Sequence, residues 1–224
     1  MTAQGENFFT AWLDLRNNQT ELWGAVSTNG GQTWQPNRRI YQSPDGPICE
    51  CCQPNAIFTP TGKLVVMWRN WIAKSRDLYW ASSGDDGKTF STPVKLGTGT
   101  WPLPGCPMDG GALVLDQTGE LLAIWRRKET IFLAHDSSSE KILAAHGSQP
   151  VAGLGPKGLY FIWQQNADLM TASGQPADLS KPSLLTRHAK YPAITSSSQY
   201  NPIAVWETDL SIWAAQLPSE LINK

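Results

Sequence analysis

The stretch ICECCQPNAIF, residues 48–58, sets Cys49, Cys51 and Cys52 within four positions, and the one other cysteine of the chain, Cys106, stands in GCPMDGG. Thiols gathered in this way can do one of three things. They can close disulfides, for which an even number of cysteines is suited. They can hold a soft metal, since Cys-x-Cys-Cys with Cys106 and the Met108 thioether offers ligands that select copper or zinc, although the paired Cys-x-x-Cys spacing of ordinary zinc sites is lacking. They can also remain free and buried. The choice depends on which elements carry the two segments and whether those elements are neighbours.

Composition narrows the class. With 224 residues the chain can bury one full core without needing disulfides to fold. Acids and bases are mixed along it and the net charge is -1, so no surface for a polyanion is expected and nucleic acid is not an expected partner. No apolar run is long enough for a membrane span, and MTAQGENFF has neither the basic start nor the apolar stretch of a signal peptide. Eleven Trp, sixteen Pro and nineteen Gly suit short strands and frequent turns, which predicts an all-β fold.

A repeat organises those strands. Five apolar segments end in tryptophan: FFTAW at Trp12, LVVMW at Trp68, LLAIW at Trp125, YFIW at Trp163 and IAVW at Trp206. Each is followed by a short polar gap and a second β-like segment: ELWGAVS, DLYWASS, TIFLAHD, DLMTASG and LSIWAAQ. The three central repeats also have a preceding segment joined through a Gly-containing turn, a hairpin signal. With an outer strand read in RRIYQS, PVKLG, KILAA and SLLTR, each unit has up to four strands, a to d, and the period suits a β-propeller blade. The expected fold is a single five-bladed β-propeller domain over 1–224, with blades near 1–47, 48–98, 106–147, 148–189 and 190–224. The recurring tryptophans are read as packing between blades.

Two c-to-d turns are more specific. STNGGQTW (Ser27, Asn29, Gly31, Thr33, Trp34) and SGDDGKTF (Ser83, Asp85, Gly87, Thr89, Phe90) share Ser-x-Asp/Asn-x-Gly-x-Thr-aromatic. A short Asx side chain can bond its own turn, and Gly takes a backbone conformation closed to other residues. The pattern resembles the Asp-box, or BNR repeat, of sialidase-like propellers; the second copy matches fully, the first has Asn29 in place of Asp, and later repeats lack it. Asp-boxes are structural turns, so the resemblance implies fold before function. The first unit aligns from its a-b turn, so its innermost strand is expected to be missing, and the last stops after strand c. The expectation is therefore a truncated form of a longer exported protein, periplasmic or secreted, or an open ring completed as a homo-oligomer through open blade edges; a fragment of a six-bladed sialidase propeller is the alternative.

Propeller connectivity puts the d-to-a and b-to-c connections at one end of the strands. The polar residues gathered there are Asp14, Arg16, Arg69, Asn70, Arg126, Arg127, Gln164, Gln165, Glu207, Asp209, Glu50, Asp109, His146, His188 and Tyr191, together with Cys51 and Cys52. His135 lies on a c strand and reads as structural. What the sialidase resemblance implies is an arginine clamp on a sugar carboxylate, filled by Arg69 and Arg126, with Asp109 as acid/base and Tyr191 paired with Glu207 as nucleophile. Asn70 and Glu50 complete the ligand face. The Arg-Ile-Pro segment that opens sialidase domains is absent. The expectation is thus a carbohydrate- or sugar-acid-binding propeller without the full sialidase machinery; a sialidase-type exo-glycosidase, or a soft-metal propeller, are the alternatives. No cofactor is expected apart from copper or zinc at the cysteines. The cysteine segments enter innermost strands of adjacent blades, so Cys106 is expected to bridge to one of the three clustered thiols.

Overall fold

The computed structural model describes residues 1–135 and 139–218. These contain strands and turns and, among the described residues, no helix. The strands form five antiparallel sheets, and the chain divides into two compact units, one of Met1–Leu113 with 136–140, the other of Val114–His135 with Lys141–Lys224.

The first unit holds two sheets. In one, β1 (Thr2–Gln4), β2 (Asn7–Asp14), β3 (Glu21–Ser27) and β4 (Arg38–Tyr41) pair in sequence order. In the other, β5 (Asn55–Phe58), β6 (Leu64–Arg69), β7 (Leu78–Ser83) and β8 (Val94–Lys95) do the same. The expectation that the first unit lacks an innermost strand is corrected by β1, whose Thr2 stands opposite Phe9. Gly5, at φ 57°, turns the chain between β1 and β2. Every residue of β6 is buried, as expected for a strand covered on both faces, where a continuous apolar run replaces alternation. Trp68 from β6 joins Phe9, Leu22, Ile48, Phe58 and Leu64 in this unit's core.

The turns at Ser27–Trp34 and Ser83–Phe90 close by matching bonds. Ser27 Oγ donates to Asn29 Oδ1 at 2.9 Å and accepts the Gly31 amide at 2.9 Å, while Asn29 Oδ1 accepts the Thr33 amide at 2.9 Å. In the second copy Ser83 Oγ donates to Asp85 Oδ1 at 2.7 Å and accepts the Gly87 amide at 2.8 Å, and Asp85 also takes the Thr89 amide and hydroxyl at 2.9 and 2.7 Å. Gly31 and Gly87 lie at φ 85° and 76°, where a side chain would be strained. Those hydrogen bonds hold the Asp85 carboxyl far below the usual range, with the Thr89 bonds the largest cause.

In the third sheet β9 (Ala112–Leu115) precedes β10 (Leu121–Arg127), β11 (Thr130–Ala134) and β12 (Lys141–Ala144). The rest of the second unit comprises β13 (Ser148–Gly155), β14 (Gly158–Gln165), β15 (Asp168–Gln175), β16 (Asp178–Leu179) and β17 (Ser183–Thr186), with β16 and β17 both pairing β15, then β18 (Lys190–Ile194), β19 (Ile203–Thr208) and β20 (Ser211–Gln216). The four expected outer strands are β4, β8, β12 and β17, and the last sheet ends at its third strand. Trp68, Trp125, Trp163 and Trp206 are buried, as a packing role requires, and Trp12 is half-buried with its indole N–H on Asp14 Oδ2 at 2.8 Å.

Candidate functional site

The first unit brings the cysteines together. The connection between β4 and β5 is tied down by Ile48 N–H on Thr20 O at 3.0 Å and Cys49 N–H on Arg69 O at 3.1 Å. The connection between β8 and β9 closes on it so tightly that a Cβ at Gly110 would lie 2.0 Å from Gln53 O. Cys51 and Cys106 are disulfide-bonded across the two connections, and Cys49 and Cys52 are free and fully buried. The expected bridge from Cys106 to one of the three clustered thiols is therefore present. Cys49 Sγ lies 3.1 Å from Cys52 Sγ and 3.8 Å from Cys51 Sγ, and Cys51 Sγ lies 3.9 Å from Cys52 Sγ. The hydrogen bond within the Cys49–Cys52 pair, opposed by burial and aided by the Arg76 cation, lowers the pKa of the Cys49 thiol, while the same bond and burial push Cys52 up.

Arg69 and Asp109 adjoin this cluster, Asn70 follows Arg69 in the chain, and all three are buried. Arg69 Nε donates to Asp109 O at 2.9 Å and Nη1 to Arg76 O at 2.8 Å. Its guanidinium lies 5.3 Å from the Trp101 ring centre. Asn70 donates from Nδ2 to the Tyr41 hydroxyl at 2.8 Å and caps the Trp71 amide with Oδ1 at 3.0 Å. Asp109 accepts the Gly111 amide at 3.4 Å, and Glu50 is exposed beside the cluster. Arg69 is thus engaged by main-chain carbonyls of two segments, the arrangement of a brace.

In the second unit the b-to-c turns are two residues long, with Lys128, Asn166 and Asp209 at φ 60°, 56° and 46°. Left-handed residues fit such hairpin turns to the twist of the strands. Beside these turns the ends of β10 and β14 carry Arg126, Gln164 and Gln165 to a rim that also receives His146 and His188 from the connections into β13 and β18. Two clefts open there. One, of about 410 Å³, is lined by Arg126, Glu129, His146, Gln164, Gln165 and Asn166, among others. The other, of about 360 Å³, shares Gln164 and Asn166 and adds Ala167, His188, Lys190 and Asp209. His146 Nδ1 lies 3.2 Å from Glu129 Oε2, and Arg126 Nε donates to Lys128 O. Sequence reasoning placed Arg126, His146, His188, Gln164, Gln165 and Asp209 at this end. It missed Glu129, Asn166 and Lys190; the first two are the turn residues themselves, and their position between the paired segments was the available signal.

Tyr191 and Glu207 also lie in this unit. Glu207 Oε1 pairs with Lys190 Nζ at 3.1 Å, and the same ammonium sits 5.5 Å from the Tyr191 ring centre. The hydrogen bond to Glu207 raises the Lys190 pKa. Tyr191 is exposed, at φ 52°.

No protein-family model matches the chain, and no curated protein matches it. Solved structures do. The NanB sialidase of Streptococcus pneumoniae is similar at 8% identity and TM-score 0.57, over 92% of this chain and 55% of that one. The α-L-arabinofuranosidase Arb93A of Fusarium graminearum is similar at 12% identity and TM-score 0.61, over 96% and 76%. The leech intramolecular trans-sialidase is similar at 13% identity and TM-score 0.55, over 85% and 33%. The chain spans little more than half of the pneumococcal sialidase chain. These likenesses show the fold, a sialidase-like β-propeller, and at such identities the fold alone.

Proposed function

On this sialidase-like propeller fold, whose five sheets read as five blades, we propose that the protein binds a carbohydrate bearing an acidic group in the paired clefts of the second unit, without sialidase-type turnover. The observation that carries the reading is the lining of the 410 Å³ cleft: Arg126, His146, Gln164, Gln165 and Asn166 on one rim. Planar amide and guanidinium groups suit the vicinal hydroxyls and carboxylate of a sugar acid, and Arg can meet a carboxylate with two parallel bonds. The neighbours named as a sialidase, a trans-sialidase and an arabinofuranosidase make a sugar the favoured ligand class.

The binding reading is favoured over an exo-glycosidase by the state of the catalytic candidates. Asp109 is fully buried, and Glu207 is held by Lys190, whereas a tyrosine nucleophile needs a carboxylate partner and a reachable acid. The Cys51–Cys106 bridge fits an oxidising compartment, periplasmic or extracellular. Among the described residues no helix is long and apolar enough to cross a membrane. A homo-oligomer would form at β20, exposed at every residue, with Ile212 on one face and Trp213 on the other both open to solvent. The test is a glycan-array screen followed by a fluorogenic sialoside assay on wild type and Arg126→Ala. Glycan binding lost on substitution, with no turnover, upholds the reading; turnover abolished by the substitution replaces it with the enzyme.

A further inference from the structure

The cysteine cluster takes no part in the sugar-binding reading, and its geometry does more than one bridge requires. The sulfurs of Cys49, Cys51, Cys52 and Cys106 all lie within 4.8 Å of one another. A tetrahedral ion with metal–sulfur bonds of about 2.3 Å sets its sulfurs about 3.8 Å apart. The separations of 3.8 and 3.9 Å from Cys51 to its two neighbours already match that edge, the 3.1 Å between Cys49 and Cys52 has to open slightly, and the bonded Cys51–Cys106 pair opens from about 2 Å once reduced. We propose that, with the Cys51–Cys106 bridge reduced, the four sulfurs form a tetrathiolate site for one soft closed-shell ion, zinc(II) or copper(I).

The surroundings fit such a site. Four thiolates around one such ion leave a net negative charge, which burial would penalise without a counter-charge. Arg76 supplies one: it is buried, its Nη1 lies 3.3 Å from Cys49 Sγ, and its Nε has no hydrogen-bond partner. The guanidinium is held 4.7 Å from the Trp71 ring centre. The Asp109 amide donates to Cys52 Sγ at 3.4 Å, the kind of outer bond that orients a thiolate ligand. Cys49 and Cys52 are enclosed while Cys106 is exposed, so an ion has a way in from the Cys106 side. Bridge and ion are alternatives at the same atoms. A dithiol or phosphine reductant supplies the two electrons that split the bridge and is itself oxidised; each thiol then loses its proton to solvent as its sulfur binds the ion.

The test uses the full chain, reduced with a phosphine that is then removed under anaerobic conditions. The sample is titrated with cobalt(II), then with zinc(II), and separately with copper(I) delivered as its bicinchoninate complex. The expected result is one ion per chain, with thiolate-to-cobalt charge transfer and tetrahedral cobalt bands that zinc removes. Cys106→Ser, at the exposed ligand, should weaken binding tenfold or more, and Arg76→Met should weaken it by about tenfold while keeping the four-sulfur spectrum. Unreduced protein should lack the spectrum. Circular dichroism is recorded on each sample: a reduced chain that unfolds and is refolded by the ion upholds the site, and one that the ion does not refold overturns it. A folded, reduced chain with four titratable thiols and no bound ion also overturns it, as does equal binding by Cys106→Ser or by the unreduced protein.

Discussion

Replacing Arg69 separates a ligand clamp from a structural brace. Arg69 is 1% exposed, and its guanidinium gives one hydrogen bond to Asp109 O and another to Arg76 O, at 2.9 and 2.8 Å. Hydrogen bonds from a charged donor contribute about 1.5–3 kcal/mol each, and a buried carbonyl left without its donor costs on the order of 1–3 kcal/mol. Arg69→Met keeps most of the apolar volume and removes both bonds, so the expected loss is about 3–5 kcal/mol of unfolding free energy. At about 2–4 °C per kcal/mol for a chain of this size, the melting temperature should fall by roughly 10 °C. Urea unfolding followed by tryptophan fluorescence reads the loss, and glycan titration of the folded fraction reads binding. If Arg69 grips a ligand and nothing else, the variant will unfold with the wild type, within about 0.5 kcal/mol, and lose the ligand; that result would refute the brace.

Other substitutions probe the scaffold. Glu21 is buried, and although burial raises its pKa, hydrogen bonds from Trp23, Asn17 and Arg39 bring it below the ordinary value of 4.5. Its contribution is therefore complete above that value and lost as pH falls through the lower folded pKa, so Glu21→Gln should destabilise by about 1–3 kcal/mol at pH 7 and by progressively less in acid; a gap from wild type that does not narrow on acidification contradicts the assignment. Gly110→Ala should cost on the order of 1–3 kcal/mol in urea unfolding, because its methyl meets Gln53 O and pushes apart the connections that carry the cysteines; unchanged stability would show that these connections yield freely. If copies pair through β20, Ile212→Lys should reduce the mass found by light scattering to that of one chain, and an unaltered multimer would exclude that edge.

Much of the architecture is legible because the central strands are doubly covered. Apolar runs such as LVVMW and YFIW, each ending in tryptophan, mark β6 and β14, and the segment after each polar gap marks the paired strand. β1 escaped because Thr2–Gln4 is three residues long and mostly polar, so only its pairing across Gly5 identifies it. That Cys106 meets the cysteine cluster is legible from topology, since both segments lead into innermost strands; that Cys51 is its partner is not, because three thiols stand within four positions. The task of Arg69 was not: an arginine after a b-strand tryptophan reads alike whether its guanidinium faces solvent or main-chain carbonyls. Lys190, which engages Glu207, was hidden for the same reason, because ion-pair partners across β18 and β19 depend on a register shifted by a bulge.

Sugar binding in the paired clefts is tested by calorimetric titration of 3′-sialyllactose, and of the best ligand from a glycan array, into wild type, Arg126→Ala and Gln164→Ala. Saturable binding is expected for the wild type, at least about tenfold weaker in each variant, since one charge-assisted or amide hydrogen bond lost at a desolvated site amounts to about 1.4 kcal/mol or more. Neither variant should unfold earlier than wild type by more than about 1 kcal/mol, because both side chains sit at the cleft rim. No glycan bound by the folded wild type, or binding unchanged in both variants, would contradict sugar binding there.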